Sequence, residues 1–351
     1  MWVDADTLLW WVRPGPLAIP LVTTTTAPGT PLSGATSQPQ TRVLFGGSDI
    51  DYGPAIGGRI TLGGWLDCEQ RFGVEGRGFL LESRAAGLHS ASDPAGNPPL
   101  YIPAFSTNLN RERPLVVADP VVPRTGSVDL LLRTQLWGAE ALGVFNVLRD
   151  ETVTVDLLGG FRFLSLEENF RLDTRSTLVT TRTETVIRDR FDTLNCFYGA
   201  QIGGRGVYAE GPWLVAATAR VAFGSTAEAI TVTGTTTRGS DRTTPATTRG
   251  GFLTQPSNLG RHTADRFGLV PEGELQVGYQ FGHGVTALFG YNALYWTQVA
   301  RVSNQVDPDV NLTQSRVFGT GKLAGVARPV VEGHQTDFWA HGLSVSLQLA
   351  Y

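Results

Sequence analysis

Toward the C-terminus every second residue is apolar: Leu343, Val345, Leu347, Leu349 and Tyr351, with Gly342, Ser344, Ser346, Gln348 and Ala350 between them. A period of two marks a strand with one greasy face and one polar face. The same period recurs through the chain. It predicts strands over residues 3–12, 58–66, 71–82, 127–147, 153–170, 191–208, 213–223, 267–281 and 285–299, and a last one over 337–351. The cleanest is 267–281, where Phe267, Leu269, Leu275, Val277, Tyr279 and Phe281 share one face and Glu272, Glu274, Gln276 and Gln280 the other. Apolar residues at helical spacing are scarce, so helices are not expected.

The connections carry as much information as the strands. Long Pro/Gly/Thr-rich loops are expected at about 14–52, 83–125, 234–261 and 300–332, with a shorter one near 174–185. They alternate with short turns at 67–70, 149–151, 210–212 and 282–284. Short turns at one end and long loops at the other are the pattern of outer-membrane barrels, whose long loops face outward. The whole chain, 1–351, therefore reads as one all-β domain: a transmembrane antiparallel up-and-down barrel of about ten strands, within a window of 8–12, with both termini expected on the periplasmic side. The stretch ITVTGTTTRG at 230–239 could extend the wall above the membrane.

Aligning the faces turns Asp6, Arg59, Glu75, Arg77, Glu140, Asp156, Arg162, Arg205, Arg220, Glu272 and Glu274 toward the interior. Arginine on the lipid side would cost roughly 2–4 kcal/mol at the midplane, which forces this assignment once a membrane barrel is granted. Trp11, Tyr208, Trp213, Phe281, Tyr295 and Tyr351 fall near strand ends, where interfacial girdles sit. An interior of about eight strands is just filled by side chains, and open porins use roughly 16–18. Eleven charged side chains, nearly balanced, are thus expected to form a salt-bridged plug or a very narrow passage, with passive diffusion of small solutes as the alternative.

Composition agrees with a barrel and narrows the partners. Charged residues make up 17% of the chain, below the roughly 25% of soluble domains. The net charge is −4 without a basic stripe, which argues against a nucleic-acid partner. No apolar run is long enough for a membrane-spanning helix. Cys68 and Cys196 fall at different heights of the wall and are expected to be free. Residues 2–12 already read as a strand and lack a basic start, so an export signal is expected to precede this sequence or to have been removed.

Several long segments carry a resemblance: GGRITLGGWLDCEQRFGVEGRGFLL, LLGGFRFLSLEE, DRFDTLNCFYGAQIGGRG, PSNLGRHTADRFGLVPEGELQVGYQF, GYNALYWTQVARVSNQVD and TDFWAHGLSVSLQLAY. With the opening TLLWWV and FGGSDIDYGP they are similar to the planctomycete outer-membrane β-barrel porin family, β-barrel porin family seven. The resemblance spans nearly the whole chain and is weakest in the loops. The alternating last strand with its terminal aromatic also resembles the C-terminal signature of outer-membrane barrels. The likeness implies an outer-membrane protein with outer-membrane lipid and the barrel-assembly machinery as partners. It transfers no catalytic residue and implies no cofactor.

The functional expectation is a porin-like or structural barrel that is not an enzyme. Recognition or adhesion through the mobile loops is the alternative. An omptin-like surface hydrolase ranks last: His262 with Asp265, or His334 with Asp337, could position a water, but exposed loop residues explain both pairs better. No nucleophile elbow occurs, and His89, His283 and His341 are too scattered for zinc. Asp307 and Asp309 in DPDVN could bind calcium, though an Asp-Pro turn accounts for them. The glycines of GGWL, GAQIGGRG and LLGGF precede no helix and are not nucleotide loops.

Overall fold

Ten strands hydrogen-bond into a closed ring. The structure, a computed structural model, describes residues 1–282 and 284–350. In chain order the barrel strands are β1 (Trp2–Val12), β2 (Pro54–Trp65), β3 (Phe72–Leu81), β4 (Arg124–Arg149), β5 (Val153–Leu178), β6 (Thr183–Glu210), β7 (Trp213–Ser240), β8 (Gly260–Gly282), β9 (Val285–Ala300) and β10 (Gln335–Ala350). Neighbours in the ring are antiparallel, and β10 meets β1 from Trp2 opposite Ala350 to Val12 opposite Ala340. Closure leaves no free edge in the ten-stranded ring, which is what a sheet surrounded by lipid requires. At this seam Gly342 lies against β1, where a Cβ would come within 2.1 Å of the Leu9 carbonyl oxygen. Glycine lets the two backbones close.

Short turns join β2 to β3, β4 to β5 and β6 to β7 at one end of the barrel. Each has a local cause. The Asp67 carboxylate accepts from the Phe72 N–H at 2.8 Å and the Arg71 N–H at 3.0 Å, holding the first. Gly211 takes a positive φ of 59° between β6 and β7. His283, between β8 and β9, lies outside the described residues.

Alternation along the wall separates a lipid face from an interior. On β7, Trp213, Val215, Ala217, Ala219, Val221 and Phe223 all point outward, and about 9–11 tilted residues cross a bilayer. Exposed Trp213, Tyr208 and Phe281 ring the short-turn end of this band, and exposed Trp11 and Tyr295 the other. Tyr351 lies outside the described residues. The membrane-crossing segments therefore run from the short turns up to about Tyr198 on β6, Phe223 on β7 and Phe267 on β8.

Four strands rise far beyond this band; 230–239 extends the wall as expected, and elsewhere the wall departs from expectation. The connection near 174–185 is a tight turn, because β5 runs to Leu178 and β6 starts at Thr183. Most of 234–261 is strand: β7 continues to Ser240 and Thr243–Arg249 returns alongside it, leaving 250–259 as the loop. Within 83–125, Arg84–Ala91 pairs with β4 from Ser127 opposite Ala91 to Thr134 opposite Arg84. For 174–185 and 234–249 the physical reason is threonine, a β-branched residue that favours extended backbone even in runs that look like loop by composition; Arg84–Ala91 contains none. Pro245 is tolerated because its strand is an edge.

The remaining loops fold inward. Leu115–Ala118, Leu100–Ile102, Pro20–Thr25 and Thr41–Gly46 make a small four-stranded sheet inside the tall end. The expected loop at 14–52 thus contains a strand pair of its own. Leu17, Leu21, Leu100, Val117, Leu253 and Val302 from these segments are buried. They pack in one apolar cluster with Leu130, Phe170, Phe191 and Trp296 of the wall. The 300–332 loop holds two single 3-10 turns, Val302–Gln305 and Leu312–Gln314, and no α-helix occurs among the described residues. The long-loop end is a packed cap on the barrel.

Candidate functional site

Inside the membrane band the strands aim charge at the barrel axis. The central layer holds Arg59 from β2, Arg77 from β3, Arg162 from β5 and Arg220 from β7, against Asp6 from β1, Glu140 from β4 and Glu272 and Glu274 from β8. Arg59 clasps Asp6 through two nitrogens at 2.8 and 2.9 Å, bonds Asn292 at 2.8 Å and pairs with Glu274. Arg220 reaches Glu140 at 2.6 Å, Glu272 at 3.0 Å and Glu274 at 3.6 Å. Arg77 sits between Glu274 at 3.2 Å and Glu140 at 3.5 Å, and Arg162 pairs with Glu272. Gln201 joins the layer by donating to Glu140 at 2.8 Å and accepting from Arg162 at 3.2 Å. Four acids thus meet four arginines.

A second tier lies nearer the short turns. Arg205 pairs with Glu75 at 2.8 Å and Asp156 at 3.2 Å, and Asn146 donates to Asp156 at 2.8 Å. The geometry follows from the pleat: each of these positions is two residues from another inward position on its strand, so the side chains stack in rows. Side chains of the central layer are 0–11% exposed. Where charges are this well paired, the Coulomb attraction and hydrogen bonds offset the loss of hydration.

The layer spans the lumen at mid-height. Trp10, Phe79, Leu164 and the ionic side chains line a void of about 10 Å³, room for about one water. Below it, a vestibule of about 240 Å³ opens at the short-turn end beside Trp2, Asp4, Thr61 and Gln348. Above it, the Trp10 and Phe79 rings, 5.6 Å apart, begin the apolar core of the cap.

Two buried acids tie the cap to the wall. Glu168 on β5 bonds the Arg301 guanidinium at 2.8 and 2.9 Å and accepts from the Val302 N–H at 3.0 Å. Arg301 also lies 5.3 Å above the Phe338 ring. Asp189, on the part of β6 above the band, accepts from the N–H groups of Phe252, Leu253 and Thr254 and from the Thr254 hydroxyl. Burial pushes the Asp189 carboxyl up to about 6, against these hydrogen bonds, which lower it.

All eleven charged residues singled out from sequence, Asp6, Arg59, Glu75, Arg77, Glu140, Asp156, Arg162, Arg205, Arg220, Glu272 and Glu274, point inward and lie in these two tiers. The polar links Gln201 and Asn292, and the clamp residues Glu168, Asp189 and Arg301, were missed. The four on strands have only an inward polar position as a signal, and Arg301, in the loop after β9, has none. The His–Asp pairs do not form: His262 donates to the Asn258 carbonyl at 3.2 Å, and His334 bonds Glu332. Asp307 is occupied by Arg328 at 2.8 Å and the Val330 and Asp309 N–H groups at 2.9 Å, a turn rather than an open cation site. Cys68 and Cys196 are both free, the first exposed in a short turn.

Comparison with known proteins adds one specific match. Residues 2–351 fit the family described as "Putative beta barrel porin-7 (BBP7)". No curated protein sequence matches. Among solved structures, the outer membrane protease OmpT from Escherichia coli is similar over 100% of this chain and 97% of its own, with a TM-score of 0.44 and 8% identity. A TodX deltaS2S3 mutant, a monoaromatic hydrocarbon channel, is similar over 100% and 90%, with a TM-score of 0.24 and 8% identity. Likeness at that level carries no argument about activity.

Proposed function

Because this chain belongs to the β-barrel porin-7 family, and so is a porin-family barrel of the outer membrane, we propose that it works there as a sealed barrel. Its role on this reading is structural or recognitional, and free diffusion of solutes through the lumen is not part of it. The observation that carries the proposal is the balanced ionic layer across the lumen, with a void of only about 10 Å³ among its side chains. The packed cap above it supports the same reading. Reconstituted vesicles test it: proteoliposomes should swell no faster than empty ones in isotonic arabinose, and rapid swelling would overturn the proposal.

The cap is placed outside the cell and both termini and the short turns in the periplasm, following the loop asymmetry of outer-membrane barrels. Exposed Cys68 in the first short turn provides the test. In a Cys196→Ser background a membrane-impermeant maleimide should label Cys68 only after the outer membrane is permeabilised; labelling on intact cells would reverse the orientation. Outer-membrane lipid is the proposed partner of the aromatic belts, and the barrel-assembly machinery that of β10.

A further inference from the structure

The cap contains a cavity of about 470 Å³ between the tall wall and the infolded loops. That volume is within the roughly 300–1,000 Å³ typical of small-molecule sites. One side is apolar: Val117, Ile187, Leu312 and Val317 line it together with Phe252 and Phe318, whose rings meet edge-on 6.0 Å apart. The other side carries Arg111, Arg113, Arg124 and Arg238.

These arginines differ from those of the barrel axis, each of which is held by carboxylates. None of the four is ion-paired among the described residues. The nearby acids, including Glu112 of the cavity lining, are engaged elsewhere. Glu112 accepts from the backbone N–H and the hydroxyl of both Thr36 and Ser37. Burial alone would raise its carboxyl, and these hydrogen bonds outweigh that and hold it below the usual range. Asp119 accepts from the Tyr101 hydroxyl at 2.8 Å and from the N–H groups of Gly29, Val121 and Val122. Arg124 donates from Nη1 to Ser176 at 2.7 Å, while its Nε is buried with no partner. Burial and the neighbouring Arg238 charge press the Arg124 guanidinium below its ordinary value, against Asp119.

Guanidinium groups that no carboxylate pairs, beside an aromatic and aliphatic wall, fit an anion on an apolar body. We propose that this cavity binds a small amphipathic anion, its carboxylate, phosphate or sulfate held by Arg111, Arg113, Arg124 and Arg238 and its apolar part laid against Phe252 and Phe318. The inference does not depend on whether the lumen conducts, since an open barrel with this cap would bind equally well.

Equilibrium dialysis of the full-length barrel in nanodiscs tests it, with empty nanodiscs as reference and three probes: 2-naphthoate, the neutral 2-naphthylmethanol and inorganic phosphate. Wild type should bind 2-naphthoate saturably, one molecule per barrel. The neutral analogue and phosphate should each bind at least about tenfold more weakly, the loss expected for one charge-assisted contact or for the apolar wall. Arg238→Gln and Arg113→Gln alter exposed side chains and leave the core intact. Each should weaken 2-naphthoate by about tenfold. The proposal fails if 2-naphthoate does not bind or binds no tighter than the neutral alcohol. It fails equally if phosphate alone binds as tightly, or if both variants bind like wild type.

Discussion

Replacing Arg220 by methionine isolates the energetics of the ionic layer. Arg220 is 1% exposed and touches Glu140, Glu272 and Glu274 at 2.6, 3.0 and 3.6 Å. After the change Glu140 keeps Arg77 at 3.5 Å and the Gln201 amide at 2.8 Å. Glu272 keeps Arg162, and Glu274 keeps Arg59 and Arg77. Four acids then face three arginines, leaving one buried charge uncompensated, at a cost of about 3–5 kcal/mol. Methionine nearly fills the vacated volume, so little of this comes from a cavity. The Arg220→Met, Glu140→Gln double variant restores the balance and should recover most of the loss. Urea unfolding in lipid vesicles, followed by tryptophan fluorescence, measures both. If Arg220→Met unfolds within about 1 kcal/mol of wild type, the pairs behave as solvated surface pairs and the lumen is wet. A double variant no more stable than the single one would also refute the balance argument.

Two further predictions test the lipid face and the cap. Leu275→Arg, outward at mid-band on β8, should cost roughly 2–4 kcal/mol in the same unfolding assay, while Thr231→Arg, outward on β7 above the band, should cost little. Equal costs would mean the band is misplaced. For Asp189, a folded-state value of about 6 lies above the ordinary 3.8, so the neutral form is favoured in the cap. Its contribution is complete below about pH 4 and is lost as the pH rises through 6, by no more than about 3 kcal/mol. Hydrogen-exchange protection of the Phe252, Leu253 and Thr254 amides, corrected for intrinsic rates, should fall between pH 4 and 7; constant protection would contradict this.

The wall was legible because a membrane barrel leaves a strong mark in sequence. Lipid outside and charge inside alternate at every step of strands such as β8, and a one-residue slip would put Glu272 and Glu274 into lipid. The family resemblance in the same segments pointed to the same architecture. The upper wall was harder to read, since the Thr-rich runs around 174–185 and 234–249 have loop-like composition and strand-like backbone preference. The cap was hidden for a different reason. Its segments are short, proline-rich and without period, so nothing local predicts their burial. Yet the inward residues Leu130, Leu132, Phe170, Leu172 and Phe191 are apolar where a water-filled lumen would want polar ones. That mismatch is the sequence signal of an infolded cap. The tie residues Glu168, Asp189 and Arg301 meet partners 63–134 positions away, a distance no local pattern spans.

The closed lumen is the centre of the account, and single-channel recording on folded, bilayer-inserted protein tests it most directly. The account predicts silence from wild type, because the four arginines and four acids of the central layer fill the axis around a void of about 10 Å³. Steady openings whose ion selectivity shifts in Glu272→Gln or Glu274→Gln would contradict it and make the charged layer the filter of a pore.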